Sequence, residues 1–189
     1  MYTLFHDFET FSEADITATG APKYARHPST EILMLSFLLV DIDKPLPEEW
    51  EVPLLVQQWV PAEGQKMPGD LKDMLRDPEV VKQAWNASFE RNIWKHVAGI
   101  DIPYDQWRCS MVMSHMLSMP GSLDKAGQIL RLPEDMLKQD GKSLIRFFSC
   151  PRKPTKTKPH TRNLPEHDPK KWDRYKAYNH QDTVTEFAA

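Results

Sequence analysis

The chain has 189 residues, of which 40% are apolar and 27% are charged, and its formal net charge is −3. This composition is typical of a soluble globular protein with enough apolar material for a core. The longest apolar run, residues 32–40, is too short for a membrane span, which needs about 20 residues. The N-terminus lacks the basic segment of a secretory signal and there are only two cysteines, so we expect a cytoplasmic location.

Strands are predicted mainly in the first half of the chain and helices in the second. Five segments rich in apolar and β-favouring residues are the predicted strands: 2–9, 31–41, 54–60, 80–85 and 107–110. Six segments with helical spacing or capping residues are the predicted helices: 69–76, 86–97, 111–118, 122–130, 141–148 and 168–189. Asn86 is the expected N-cap of the second helix. Strands that alternate with helices and then give way to them indicate one α/β domain.

Residues 149–165 form a predicted proline-rich basic loop. Between Gly141 and Pro165 there are seven lysines or arginines and no acidic residue, so this segment has a charge of +7. Because the net charge of the chain is −3, the rest of the chain has a charge of −10. An acidic body with one basic segment suits a polyanionic partner only if cations neutralise the acidic part. A solvated loop without a ligand is the alternative.

Acidic residues stand out in three segments. Asp7 and Glu9 lie two residues apart in the first strand and therefore share a face. Burial of two neighbouring carboxylates favours a bound cation, and an edge strand with both acids in solvent is an equally weighted alternative. Tyr178 and Asp182 are four apart on one face of the last helix. Glu90 lies in the first turn of a helix, where complementation of the helix dipole would also explain it.

The three segments occur in an order that resembles the DnaQ-like 3′–5′ exonucleases, in the tyrosine-bearing (DEDDy) branch. Segments such as DFETFSEAD, NASFER, PGSLDKAG and GKSLIRFFSCPRKPTK are also similar to the exonuclease domain of bacteriophage family A DNA polymerases. The resemblance covers nearly the whole chain. It implies a ribonuclease-H-like mixed β-sheet flanked by α-helices, in a single exonuclease domain over residues 1–189.

The resemblance also implies a catalytic centre with two divalent ions, Mg²⁺ or Mn²⁺. Asp7, Glu9, Glu90 and Asp182 would hold the ions, and Tyr178 would orient the attacking water. Two such ions acidify water and neutralise charge at a scissile phosphate, and oxygen ligands select these metals. The second motif of the family usually ends in Asp, and we expect the longer Glu90 to be tolerated there.

The implied substrate is the 3′ end of single-stranded or frayed DNA, in proofreading with a DNA polymerase domain or subunit. Seven residues are expected to contact the strand: Thr10, Asn86, Phe89 and Leu123 near the terminal nucleotide, and Arg152, Lys153 and Arg162 in the basic loop. Trp85 is expected to be a packing residue and His180 a surface or packing residue. Two alternatives stay open: an exoribonuclease that trims RNA 3′ ends, and a catalytically inactive single-strand-binding or docking domain marked by Glu90.

Overall fold

A five-stranded mixed β-sheet is the framework of the chain. The computed structural model describes residues 1–48, 50–137, 141–157 and 159–189. Lys158, one of the seven basic residues noted above, lies outside them. The strands are β1 (Tyr2–Phe11), β2 (Glu31–Asp41), β3 (Gln57–Trp59), β4 (Val80–Ala84) and β5 (Trp107–Cys109). Their order is β3-β2-β1-β4-β5, with β2 antiparallel to β1 and β3, and β4 parallel to β1 and β5.

Eight α-helices accompany the sheet within the described residues. They are α1 (Ile16–Arg26), α2 (Val52–Leu55), α3 (Gly69–Arg76), α4 (Ser88–His96), α5 (Ser110–Met116), α6 (Leu123–Leu130), α7 (Lys142–Phe148) and α8 (Pro169–Ala188). Helix α8 packs against β1 and β2, and α1 packs against α4. The predicted ribonuclease-H-like mixed sheet flanked by helices is confirmed. None of the helices in the described ranges has the length and apolarity that a bilayer crossing requires.

Two local predictions were wrong, and one helix was not predicted. Helix α1 lies in a segment with no predicted element, because Gly20, with a φ of 72°, interrupts its regular pattern. The strand predicted at 54–60 shrinks to β3, since the preceding residues form the short helix α2 with Pro53 in its first turn. Asn86 is not the N-cap of α4. The N-cap is Ala87, and Asn86 adopts a left-handed backbone conformation with a φ of 68°.

Apolar clusters hold the helices against the sheet. Phe8 of β1 and Trp94 of α4 belong to one cluster, and their rings meet edge to face with centroids 4.7 Å apart. Phe11 of β1, Phe148 of α7 and Trp172 of α8 belong to a second cluster. The polar residues in the second half of β1 lie in a cleft that is also lined by residues of α1, α4, α7 and α8.

Candidate metal centre

Three carboxylates meet where β1 lies against α8. One carboxylate oxygen from each of Asp7, Glu9 and Asp182 lies within 4.8 Å of the other two. Glu9 and Asp182 are buried and Asp7 is partly exposed. Asp7 and Glu9 share a face of β1 through the two-residue period of a strand, and Asp182 projects from the face of α8 that packs on that strand. Carboxylates this close repel one another, and a divalent cation would remove that repulsion.

Neighbouring side chains fix the orientation of the two acids on β1. The Asn179 amide nitrogen donates to the Asp7 carbonyl at 3.0 Å and to the Asp7 carboxylate at 2.9 Å. The Tyr175 hydroxyl donates to Glu9 Oε2, and it lies 2.7 Å from the Ser149 hydroxyl. Both acids are therefore positioned by the protein itself, as is usual for ligands that must hold a metal. Asn179 was not predicted as a site residue, although its three-residue spacing from Asp182 places it near that face.

Tyr178 lies beside these carboxylates, and neighbouring groups confine its side chain on two sides. Its buried hydroxyl is hydrogen-bonded to Asp182. Burial, with the charges of Asp182, Glu9 and Asp7, raises the pKa of the phenol far above its ordinary value, so it keeps its proton at neutral pH. On the other side, the backbone of Gly141 lies close to the ring. A Cβ atom at that position would lie 2.5 Å from Tyr178 Cδ2 and closer still to Cε2 and Cζ.

Glu90 enters the same cleft from the start of α4. Its side chain is 2% exposed, and burial, followed by the charge of Asp7, raises its pKa well above the ordinary value. Among the described residues, nothing forms a hydrogen bond with Glu90 Oε2. Buried polar atoms are nearly always hydrogen-bonded. An oxygen without a protein partner in this cleft is therefore suited to contact a cation or a water molecule. Burial in the cleft also argues against a purely dipole-complementing surface acid.

A fifth acid, Glu186, lies one helical turn beyond Asp182 and was not predicted from the sequence. It accepts a hydrogen bond from the Ser110 hydroxyl at 2.6 Å and another from the Trp85 backbone N–H. Burial, with smaller contributions from the charges of Asp7 and Asp182, raises its pKa to about 8. The four-residue spacing from Asp182 is a signal that could have revealed it. Glu186 ties α8 to the end of β4 and to α5.

The remaining predicted contact residues fall into two groups. Thr10, Asn86 and Phe89 line the cleft beside the acids. Leu123 is buried at the start of α6 and is not among the described residues that line this cleft. Trp85, predicted to be a packing residue, is half-buried and also lines the cleft. His180 packs as predicted, with its ring nitrogen 3.0 Å from the Pro53 carbonyl oxygen.

The basic loop makes contacts within the chain. Arg162 forms an ion pair with Glu31 at 2.8 Å. The Arg152 guanidinium lies 3.0 Å from His160 Nε2, whereas Lys153 is exposed. Contact of these residues with a nucleic acid stays a prediction, and Lys153 is the most accessible of the three.

The sequence of the chain is similar to that of a known protein. No protein-family model matches the chain. The chain is 39% identical, over 190 aligned residues and its full length, to a DNA polymerase of Bacillus phage SP02. It is thus similar to one part of a phage DNA polymerase. The chain spans 27% of the length of that relative. The predicted similarity to phage polymerase sequences is confirmed to this extent.

Proposed function

We propose that the chain is a metal-dependent 3′–5′ exodeoxyribonuclease that works with a phage-type DNA polymerase. The convergence of Asp7, Glu9 and Asp182 supports this function most directly, and the burial of Glu90 in the same cleft adds a fourth acid. Similarity to part of a phage DNA polymerase supports a role associated with DNA replication. The resemblance to DEDDy exonucleases supports the finer assignment.

The donor set fits hard divalent cations such as Mg²⁺ or Mn²⁺. The three clustered donors are all carboxylates, and hard cations prefer oxygen ligands. Asp7, Glu9 and Asp182 would hold one ion, and Glu90 together with Asp7 would serve a second. When bound, such ions neutralise charge on the scissile phosphate and make water more acidic.

Residues of the chain would position the reacting groups. Tyr178 keeps its proton, so its hydroxyl can hold and aim a water molecule beside Asp182. That water adds a hydroxyl group to phosphorus while the bond from phosphorus to the 3′ oxygen breaks, and the 3′ oxygen gains a proton. The products are a 5′-mononucleotide and a strand with a new 3′ hydroxyl group. Phe89 and Asn86 line the space next to the acids, where the terminal nucleotide would lie.

The decisive assay uses 5′-labelled single-stranded DNA and a matched RNA, each with Mn²⁺ and with EDTA. We expect a DNA ladder that shortens from the 3′ end only with Mn²⁺, and that disappears in Asp7→Asn. Degradation of RNA alone would instead identify an exoribonuclease. Tight strand binding without any Mn²⁺-dependent product would identify a binding or docking domain.

A further inference from the structure

A second groove opens beside the catalytic cleft, between α4 and α5. Its volume is about 460 Å³, and Asn86 lines both the groove and the cleft. Arg91 of α4, Arg108 of β5 and the nearby Tyr104 line the groove together with apolar side chains of α5. We call this the α4–α5 groove. Nothing in the proposed chemistry uses it.

The groove and the cleft carry opposite charges. Four carboxylates line the cleft: Asp7, Glu9, Glu90 and Asp182. The described residues that line the α4–α5 groove include Arg91 and Arg108 and no carboxylate. Guanidinium groups suit phosphate recognition, so the groove attracts a polyanion where the cleft alone repels it.

The groove also offers surfaces on which bases can stack. Tyr104 is 74% exposed, and the guanidinium carbon of Arg91 lies 4.3 Å from the centre of its ring. Met113 and Met116 of α5 are also exposed. Aromatic rings with neighbouring arginines bind unpaired bases of any identity, and methionine side chains adapt to irregular partners.

We propose that the α4–α5 groove binds the part of the single strand that lies 5′ of the scissile phosphate. This rests on the proposed exonuclease function, because a 3′ exonuclease has only the terminal nucleotide on the 3′ side of that phosphate. A strand that continues out of the cleft past Asn86 is therefore its 5′ part. Arg91 and Arg108 contact its phosphates and Tyr104 stacks on a base.

The test measures binding of fluorescein-labelled octathymidylate by anisotropy at low salt with Mg²⁺, which neutralises the acidic cleft. Phosphorothioate linkages keep the charge of the strand and slow its cleavage. The double variant Arg91→Ala/Arg108→Ala should bind at least about 10-fold more weakly, and its salt-dependence slope should fall by about 1.4, or about 0.7 per lost phosphate contact. Tyr104→Ala should weaken binding about 10-fold through lost stacking. Arg76→Ala, which removes an exposed cation at the end of α3, is the matched control and should bind normally.

Three further measurements separate the possible failures. Arg91→Lys/Arg108→Lys should restore most of the salt dependence, and thermal melts show whether each variant is folded. Wild-type affinity in the folded alanine variants, as expected if a protein partner covers the groove, would overturn this inference, and so would a wild-type chain that does not bind the strand.

Hydrolysis of the p-nitrophenyl ester of thymidine 5′-phosphate with Mn²⁺ tests the nuclease centre separately. Groove-dependent binding without any hydrolysis would overturn the proposed function and not the groove.

Discussion

Replacing Gly141 with alanine should slow catalysis while all metal ligands stay in place. The added Cβ would lie 2.5 Å from Cδ2 of the Tyr178 ring and closer to two other ring atoms, whereas ordinary contact begins near 3.4 Å. The ring must therefore move by about 1 Å, and a displacement of this size in a positioning group costs about 10²-fold in rate. Overpacking should also lower the free energy of unfolding by about 1–3 kcal/mol.

The assay compares kcat on single-stranded DNA with Mn²⁺ affinity from calorimetry. Gly69→Ala is the matched control, because a Cβ at the first residue of α3 meets nothing within 4 Å. In a Tyr178→Ala background the ring is gone, so Gly141→Ala should cost no further activity. Full kcat in Gly141→Ala, or an equal loss in the Tyr178→Ala background, would refute the role of this contact.

Three other substitutions test single features of the site and the core. Tyr178→Phe removes the hydroxyl bonded to Asp182 and should slow DNA cleavage about 10²-fold with unchanged Mn²⁺ affinity; an unchanged rate would make the tyrosine purely structural. Asn179→Leu removes both hydrogen bonds to Asp7 and should weaken Mn²⁺ binding about 10- to 100-fold, and calorimetry that shows wild-type affinity would contradict this. Burial lowers the pKa of Lys82 to about 8 from 10.5, so the native state loses that proton before the unfolded state does. The free energy of unfolding should therefore rise between pH 8 and 10.5. Urea melts across this range should show the rise in the wild type and not in Lys82→Met.

Local periodicity was sufficient to place the acids of β1 and α8 on defined faces. A strand repeats every two residues and a helix about every 3.6, which fixes Asp7 with Glu9 and Tyr178 with Asp182. The contact between these two elements joins residues about 175 positions apart and depends on tertiary packing that no local pattern contains. Glu90 was ambiguous for the same reason, since only its burial distinguishes a cleft acid from a surface acid.

The polar residues of α8 show why part of the site was missed. Asn179, Thr183 and Glu186 are buried on a helix whose sequence is strongly polar, so hydrophobic patterning predicts solvent exposure for them. Buried polar residues that contradict the local pattern concentrate at functional sites. The left-handed backbone of Asn86 was also not predictable, because asparagine is favoured both at helix N-caps and in left-handed conformations.

Calorimetric titration with Mn²⁺ tests the central claim most directly, because it asks whether the acidic cluster binds a metal without any assumption about substrate. The wild-type chain should show saturable binding that Asp7→Asn and Asp182→Asn abolish. Asp73→Asn, on the exposed surface of α3, should bind as the wild type does. Equal binding in all four proteins, or none in the wild type, would contradict the metal-dependent account.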